Sequence, residues 1–436
     1  MACFYRYHLN FFSLLLLLHL SLTSAASSFR PNALVLPVSK DPNTLQYTIK
    51  LTQRTPPVSV PLTLHLGGQF LWVDCDKKYV SSTYRPARCN SAQCSLANSK
   101  SCGTCNSSPR PGCNNNTCGL FPDNPFTNTA TIGDLSSDLV RVASTNGSNP
   151  GRVVSMPHFL FTCAPTFLLQ GLANGVQGIA GFGRTKISLP SQFSSAFSFA
   201  RKFAICLSSS GVVFFGDGPY TFLPRDEEVS SRLTFTPLII NPVSTAGATV
   251  AGEPSSEYFI GVTKIKIGEK EVAVNKKLLS IDSEGNGGTK ISTVNPYTVM
   301  QSSIYKAVSD FFVKYVGDIP RVKAVAPFTV CYGPRSFSST RAGPGVPAID
   351  FVLQNDKVYW RMFGMNSMVQ VNDDVYHLCL GFVDGGKSPR TAIVIGTYQL
   401  EDNFLQFDLA RSRLGFTSSL LFLQTTCANF NFTSSV

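Results

Sequence analysis

Apolar and polar positions alternate along most of this chain in short runs. Tyr47-Thr48-Ile49-Lys50-Leu51, Val212-Val213-Phe214-Phe215 and Ala392-Ile393-Val394-Ile395 are rich in β-branched and aromatic residues and end in turn formers, the pattern of strands. The three-and-four spacing of a helix is clear in Ser302–Phe312, with serines placed to cap its start, and a shorter helix is expected after Ser188-Leu189-Pro190-Ser191-Gln192-Phe193. The pattern predicts an all-β (mainly β) protein with a few short helices.

One pattern occurs twice. Val60–Val73 and Gly287–Asn295 each set an apolar strand against Gly-rich turn residues, and they lie about half the chain apart. A chain of 436 residues exceeds one ordinary core, so two lobes on one plan are expected. The boundary falls where Pro, Arg and acidic residues interrupt the apolar runs, near Thr221–Leu233. This divides the chain into 26–225, with a cysteine-rich insertion at 89–118, and 226–436.

The first 25 residues read differently. Arg6 precedes the apolar run Phe11–Leu18, and the small residues Thr23-Ser24-Ala25-Ala26 follow. This is the form of a secretory signal; as a membrane span the run is short, since a span takes about 20 residues. Of the 13 cysteines, Cys3 leaves with the signal, so an even number remains: Cys75, Cys89, Cys94, Cys102, Cys105, Cys113, Cys118, Cys163, Cys206, Cys331, Cys379 and Cys427. Dense, even cysteines in an exported chain read as disulfides. Cys102–Cys105 is the one C-x-x-C, without the second pair or His cluster that zinc requires. No metal and no cofactor is expected. Sequons at Asn106, Asn115, Asn146 and Asn431 fit an exported glycoprotein, and two of them place the cysteine-rich loop at the surface.

The formal charge is +11 and the charged fraction 14%. The Lys and Arg are scattered, without a basic block or an RNA-type aromatic motif, which argues against nucleic acid. Outside a cell, basic charge favours acidic wall polymers or acidic partner proteins.

Several segments together resemble the pepsin-like aspartic proteases of plants, and specifically their inactive branch. They are Phe70-Leu71-Trp72-Val73-Asp74-Cys75, Gly178–Arg184 with Ser188–Gln192, Ile393-Val394-Ile395-Gly396, Asn403–Asp408 and Arg413-Leu414-Gly415-Phe416. Their order and spacing cover nearly the whole mature chain. The resemblance implies a bilobal fold of two pseudo-symmetric β-barrel lobes. It also implies the pairings Cys331–Cys379 and Cys206–Cys427.

Active members carry Asp-Thr/Ser-Gly in both lobes, because two carboxylates sharing a proton activate the attacking water. Here the matching triplets are His65-Leu66-Gly67 and Ser292-Thr293-Val294, so the resemblance puts His65 and Ser292 at the catalytic positions and implies no catalytic residue. Asp282-Ser283-Glu284, Asp74 and Asp76 are misplaced to restore a dyad. The flap segment Phe121–Pro125 has a proline on each side of Asp123-Asn124 and lacks the usual Tyr, which is odd for a mobile hairpin. A new Ser-His hydrolase would need an orienting acid and an oxyanion hole that no motif supplies.

Within the inactive branch, Tyr79–Pro86, Ser292–Thr298, Gln399–Asn403 and Thr426–Phe432 are most similar to plant extracellular inhibitors of xyloglucan-degrading endoglucanases, a group related to basic globulins and xylanase inhibitors. The resemblance implies a secreted, apoplastic plant-defence protein that plugs the cleft of a microbial glycoside hydrolase of the family 12 type. It leaves a peptide-binding or storage-like globulin as the alternative, and a residual protease behind both. Exposed arginines on loops of the C-terminal half, Arg321, Arg341 and Arg390, are candidates to pair with the hydrolase's catalytic carboxylates.

Overall fold

The computed structural model describes residues 29–244, 253–373 and 375–433. The expected signal segment, 1–25, lies outside them. Among the described residues no helix is long and apolar enough to cross a membrane.

The labelled elements are, in chain order, β1 (Ala33–Lys40), β2 (Tyr47–Gln53), β3 (Val58–His65), β4 (Trp72–Asp74), β5 (Gly133–Thr145), β6 (Pro150–Ala164), β7 (Gly178–Gly181), α1 (Leu189–Phe197), β8 (Lys202–Cys206) and β9 (Ser210–Gly216). The second half contributes β10 (Thr289–Ile291), β11 (Thr298–Met300), α2 (Ser302–Val316), β12 (Phe382–Asp384), β13 (Ile393–Ile395), β14 (Phe404–Asp408) and β15 (Arg413–Phe416). The molecule is mainly β, as its pattern predicts.

Strand chemistry follows position. In β2, Tyr47, Ile49, Leu51 and Gln53 are buried while Lys50 between them is exposed, the period-2 signature of a half-buried strand. β9 is buried almost throughout, because it has β1 on one side and β8 on the other, which explains its unbroken apolar run. α2 begins differently from expectation. Its cap is Gln301, whose side chain accepts from the Ser303 and Ile304 N–H groups at 2.7 and 3.3 Å, and the serines occupy its first turn instead.

The repeated pattern is one motif built twice. β3 runs parallel to β7, and β7 runs antiparallel to β4, so β7 threads between the strands on either side of the turn 66–71. In the second half β10 runs parallel to β13, and β13 antiparallel to β11. β6 and β12 then extend the two motifs alongside β4 and β11. The threading needs backbone in contact with backbone. A Cβ on Gly181 would stand 2.4 Å from the Phe70 carbonyl oxygen, and one on Gly396 would stand 2.3 Å from that of Tyr297. Only glycine fits at either place.

The two halves share strands. β8 pairs with β9 and also with β14, and β14 pairs with β15, which continues onto Thr234–Ile239. Phe203 and Phe407 stack across that junction with ring centroids 4.7 Å apart.

Six disulfides use all the cysteines expected to remain: Cys75–Cys163, Cys89–Cys102, Cys94–Cys118, Cys105–Cys113, Cys206–Cys427 and Cys331–Cys379. Cys102 and Cys105 have separate partners. The C-x-x-C is therefore part of a stapled loop, in which Ser101–Gly103 pairs with Thr117–Leu120.

Candidate functional site

The Thr293 side chain joins the two equivalent turns. Thr293 Oγ1 accepts from the Leu66 N–H at 3.0 Å, across 227 residues of chain, and donates to the Leu64 carbonyl at 2.9 Å. Leu66 holds the matching place in the first turn and has no hydroxyl, so no reciprocal bond forms. The turn junction is half of a two-way clamp.

His65 and Ser292 stand at matching ends of β3 and β10. The His65 ring packs over the Gly67-Gly68 backbone, where an added Cβ would come within 3.2 Å of Nε2 or 3.0 Å of Nδ1. Among the described residues its Nδ1 has no hydrogen-bond partner. Burial pulls the imidazole pKa down to about 4, against the raising pull of Glu257 and with a further lowering from Lys290. His65 is therefore neutral at ordinary pH. Ser292 is occupied by its own turn: its hydroxyl donates to Asn295 Oδ1 at 3.1 Å and accepts from the Val294 N–H at 3.1 Å. Among the described residues no hydrogen bond joins His65 to Ser292, so the pair is not set up as nucleophile and base.

These side chains line a cleft cavity of about 410 Å³ with Glu257, Lys290, Asp123 and Arg390. Lys290 Nζ donates to Glu257 Oε1 at 2.8 Å, and both side chains are largely buried. Asp123 belongs to a short hairpin, Asp123–Asn124 against Thr129–Ala130, which forms despite the flanking prolines. The hairpin is pinned. Trp72 Nε1 donates to the Asp123 carbonyl at 2.9 Å, and the buried Asn124 amide donates to the Leu168 and Gln170 carbonyls at 2.8 Å each. Burial pushes the Asp123 carboxyl up to about 6, with a smaller contribution from Glu257.

The other acidic residues lie off the cavity. Asp74 accepts the Thr166 hydroxyl, shared between its two oxygens at 3.0 and 3.1 Å, and the Asp76 N–H. Asp76 faces Arg110 at 3.5 Å. Asp282 is turned onto its own loop, accepting from the Glu284 and Asn286 N–H groups.

Of the three arginines, only Arg390 lines the cleft, exposed at its rim. Arg321 was expected on a loop; it lies on the two-residue strand Arg321–Val322, opposite Tyr332, because that segment pairs with Cys331–Tyr332. Arg341 is at the tip of the hairpin Ser339–Thr340/Gly343–Pro344. Asn106, Asn115 and Asn146 are exposed and Asn431 is half-buried. Among the described residues no group of three His, Cys, Asp or Glu could hold a metal ion.

Sequence reasoning missed Lys290 and Glu257. Lys290 was within reach: two residues before Ser292 on one strand, it points to the same face. Glu257 has no local signal. It arrives because Tyr258–Ile260 pairs with β10.

Comparison with known proteins gives the context. Residues 47–217 match the model described as "Xylanase inhibitor N-terminal", and residues 257–418 match "Xylanase inhibitor C-terminal". The chain is 66% identical over 425 residues to the probable aspartic proteinase GIP2 of Nicotiana benthamiana, covering 96% of each chain. It is 46% identical over 446 residues to gamma conglutin 1 of Prunus dulcis, covering 100% of this chain and 99% of the other. The solved structure of edgp superposes with a TM-score of 0.91 at 61% identity, covering 93% of this chain and 100% of that one. Conglutin gamma from lupine seeds gives 0.81 at 40%, with the same coverage.

Proposed function

Because the chain belongs to the xylanase-inhibitor family of pepsin-like bilobal folds, we propose that it is a secreted, non-catalytic inhibitor of microbial glycoside hydrolases. The target in this reading is a xyloglucan-specific endo-β-glucanase of the family 12 type, blocked at its cleft as part of plant defence in the apoplast. The observation that carries it is the pair of turn tips. In this reading His65 and Ser292 replace the two aspartates of active relatives, and neither the neutral imidazole nor the turn-bound hydroxyl can share a proton over a water as two carboxylates do. The remaining cleft carboxylates offer no substitute dyad, since Glu257 is held by Lys290.

Inhibition then rests on a protruding cation. Arg390 follows Pro389 in an exposed segment, and its peptide carbonyl accepts from the Gly287 N–H at 2.8 Å, which steadies its base. A guanidinium held this way can take a catalytic carboxylate of the hydrolase in a two-bond fork. Arg321 and Arg341 are the further candidates in the same half. Export in the folded state is supported by the six disulfides, and glycosylation by the exposed sequons. The net charge of +11 supports association with acidic wall polymers.

The test is xyloglucan hydrolysis by a secreted fungal or oomycete endoglucanase, with and without the purified protein, beside a xylanase control. Stoichiometric loss of the xyloglucanase activity is expected. Arg390→Glu should weaken inhibition about 30-fold or more, the scale of breaking a buried interfacial charge pair. If Arg390, Arg321 and Arg341 can each be reversed without effect, the arginine plug is wrong. If neither hydrolase is affected by the unmodified protein, the second reading stands: a peptide-binding or storage-like globulin, favoured by the gamma conglutin and basic 7S globulin relatives. Acid-pH proteolysis would revive the protease named in the relative from Nicotiana benthamiana.

A further inference from the structure

A second cavity, of about 610 Å³, opens between the cysteine-rich segment and the stretch after β7. Its size is that of a small-molecule pocket, commonly about 300–1,000 Å³. Leu96, Phe121 and Ile240 line it with apolar side chains 44%, 50% and 53% exposed.

The charge in this cavity is unbalanced. Arg184 is half-buried in its wall, with the guanidinium 5.3 Å from the Tyr258 ring centroid and one long contact, 3.4 Å, to the Ile239 carbonyl. Among the described residues its Nε has no hydrogen-bond partner. Among the described residues no carboxylate forms an ion pair with it, and residues 245–252 contain neither Asp nor Glu. Exposed Lys186 lies on the same wall. The carboxylate that lines the cavity among the described residues, Glu253, is engaged by Asn98 at 2.7 Å and by Lys100 at 3.9 Å. Half-burying a guanidinium without a carboxylate to balance its charge is costly, and a bound anion offsets that cost.

We infer that this cavity is a binding site for a small apolar carboxylic acid. The carboxylate pairs with Arg184, with Lys186 adding to the attraction, and the apolar body lies on Leu96, Phe121 and Ile240. The site is separate from the inhibitory role proposed above and does not depend on it.

Calorimetric titration of the intact mature protein at pH 6 tests the site, with decanoate below its micellar range, with decanol, and with a blocked peptide ending in a free leucine carboxylate. Decanoate is expected to bind at least about tenfold more tightly than decanol, the scale of a charge-assisted pair. Arg184→Gln should remove that preference, while Arg184→Lys retains part of it. Ile240→Asp, at an exposed position, should weaken decanoate with the unfolding midpoint unchanged. Equal binding of acid and alcohol, no binding of decanoate at millimolar concentration, or unchanged binding in both Arg184→Gln and Ile240→Asp overturns the proposal. Tighter binding of the peptide carboxylate than of decanoate overturns the small-acid assignment.

Discussion

His65 and Asp123 line one cavity, and burial moves them in opposite directions relative to protons. His65 titrates near 6.5 when unfolded and near 4 when folded. The unfolded chain therefore binds more protons between those values, and the stability present above pH 6.5 is lost as pH falls toward 4, by at most about 3 kcal/mol. Asp123 titrates near 3.8 unfolded and about 6 folded. Its contribution is full below pH 3.8 and is lost as pH rises through 6. His65→Gln should flatten the acid-side fall of the urea midpoint between pH 6.5 and 4. Asp123→Asn should raise the midpoint at pH 7, with a gain that fades toward pH 4. Parallel midpoint-versus-pH curves for both variants and the parent would refute these assignments.

Turns, strands and hairpins show what could be foreseen along the chain. Thr293 bridges the two turn tips, and it makes both of its bonds in a buried site. Thr293→Val keeps the shape and strands the Leu66 N–H and Leu64 carbonyl. The unfolding free energy should fall by about 2 kcal/mol, and amide exchange should quicken at Leu66. An unchanged denaturation curve would mean that the bridge is ornamental. The repeat itself was legible, since strand–turn–strand with glycines is a local pattern, and so was α2. A short helix near Ser188 was foreseen too, but α1 begins at Leu189, inside the segment it was expected to follow. The Gln301 cap was not, because serines ahead of an apolar run look the better caps. The hairpin at 123–130 was obscured by its prolines, since what holds it is remote: Trp72 and the Leu168 and Gln170 carbonyls. Local sequence shows what a residue is, and Glu257 shows that it does not show which strand will carry the residue to the cleft. The same holds for the cysteines of the stapled loop, whose partners the spacing left open.

For the whole molecule, Cys206–Cys427 has the longest reach of the six disulfides, closing a separation of 221 residues and tying the C-terminal segment to β8. Removing both sulfurs by Cys206→Ala with Cys427→Ala should cost about 2–5 kcal/mol, with the guanidinium midpoint as the measure. A midpoint equal to that of the parent would show that the buried Phe404, Phe214 and Phe430 contacts hold that segment alone.

β8 also has a place in time. Its neighbour β9 is made a few residues later, but its other neighbour, β14, ends at Asp408. While a ribosome works through the intervening chain, Lys202-Phe203-Ala204-Ile205-Cys206 keeps one edge unpaired, and Phe203 waits for Phe407 to stack on it. An apolar strand with an open edge is a template for other chains. The first half of this protein is therefore a dependent of the last thirty or so residues, and a nascent chain cut short before β14 should need a chaperone's shelter or be lost to aggregation.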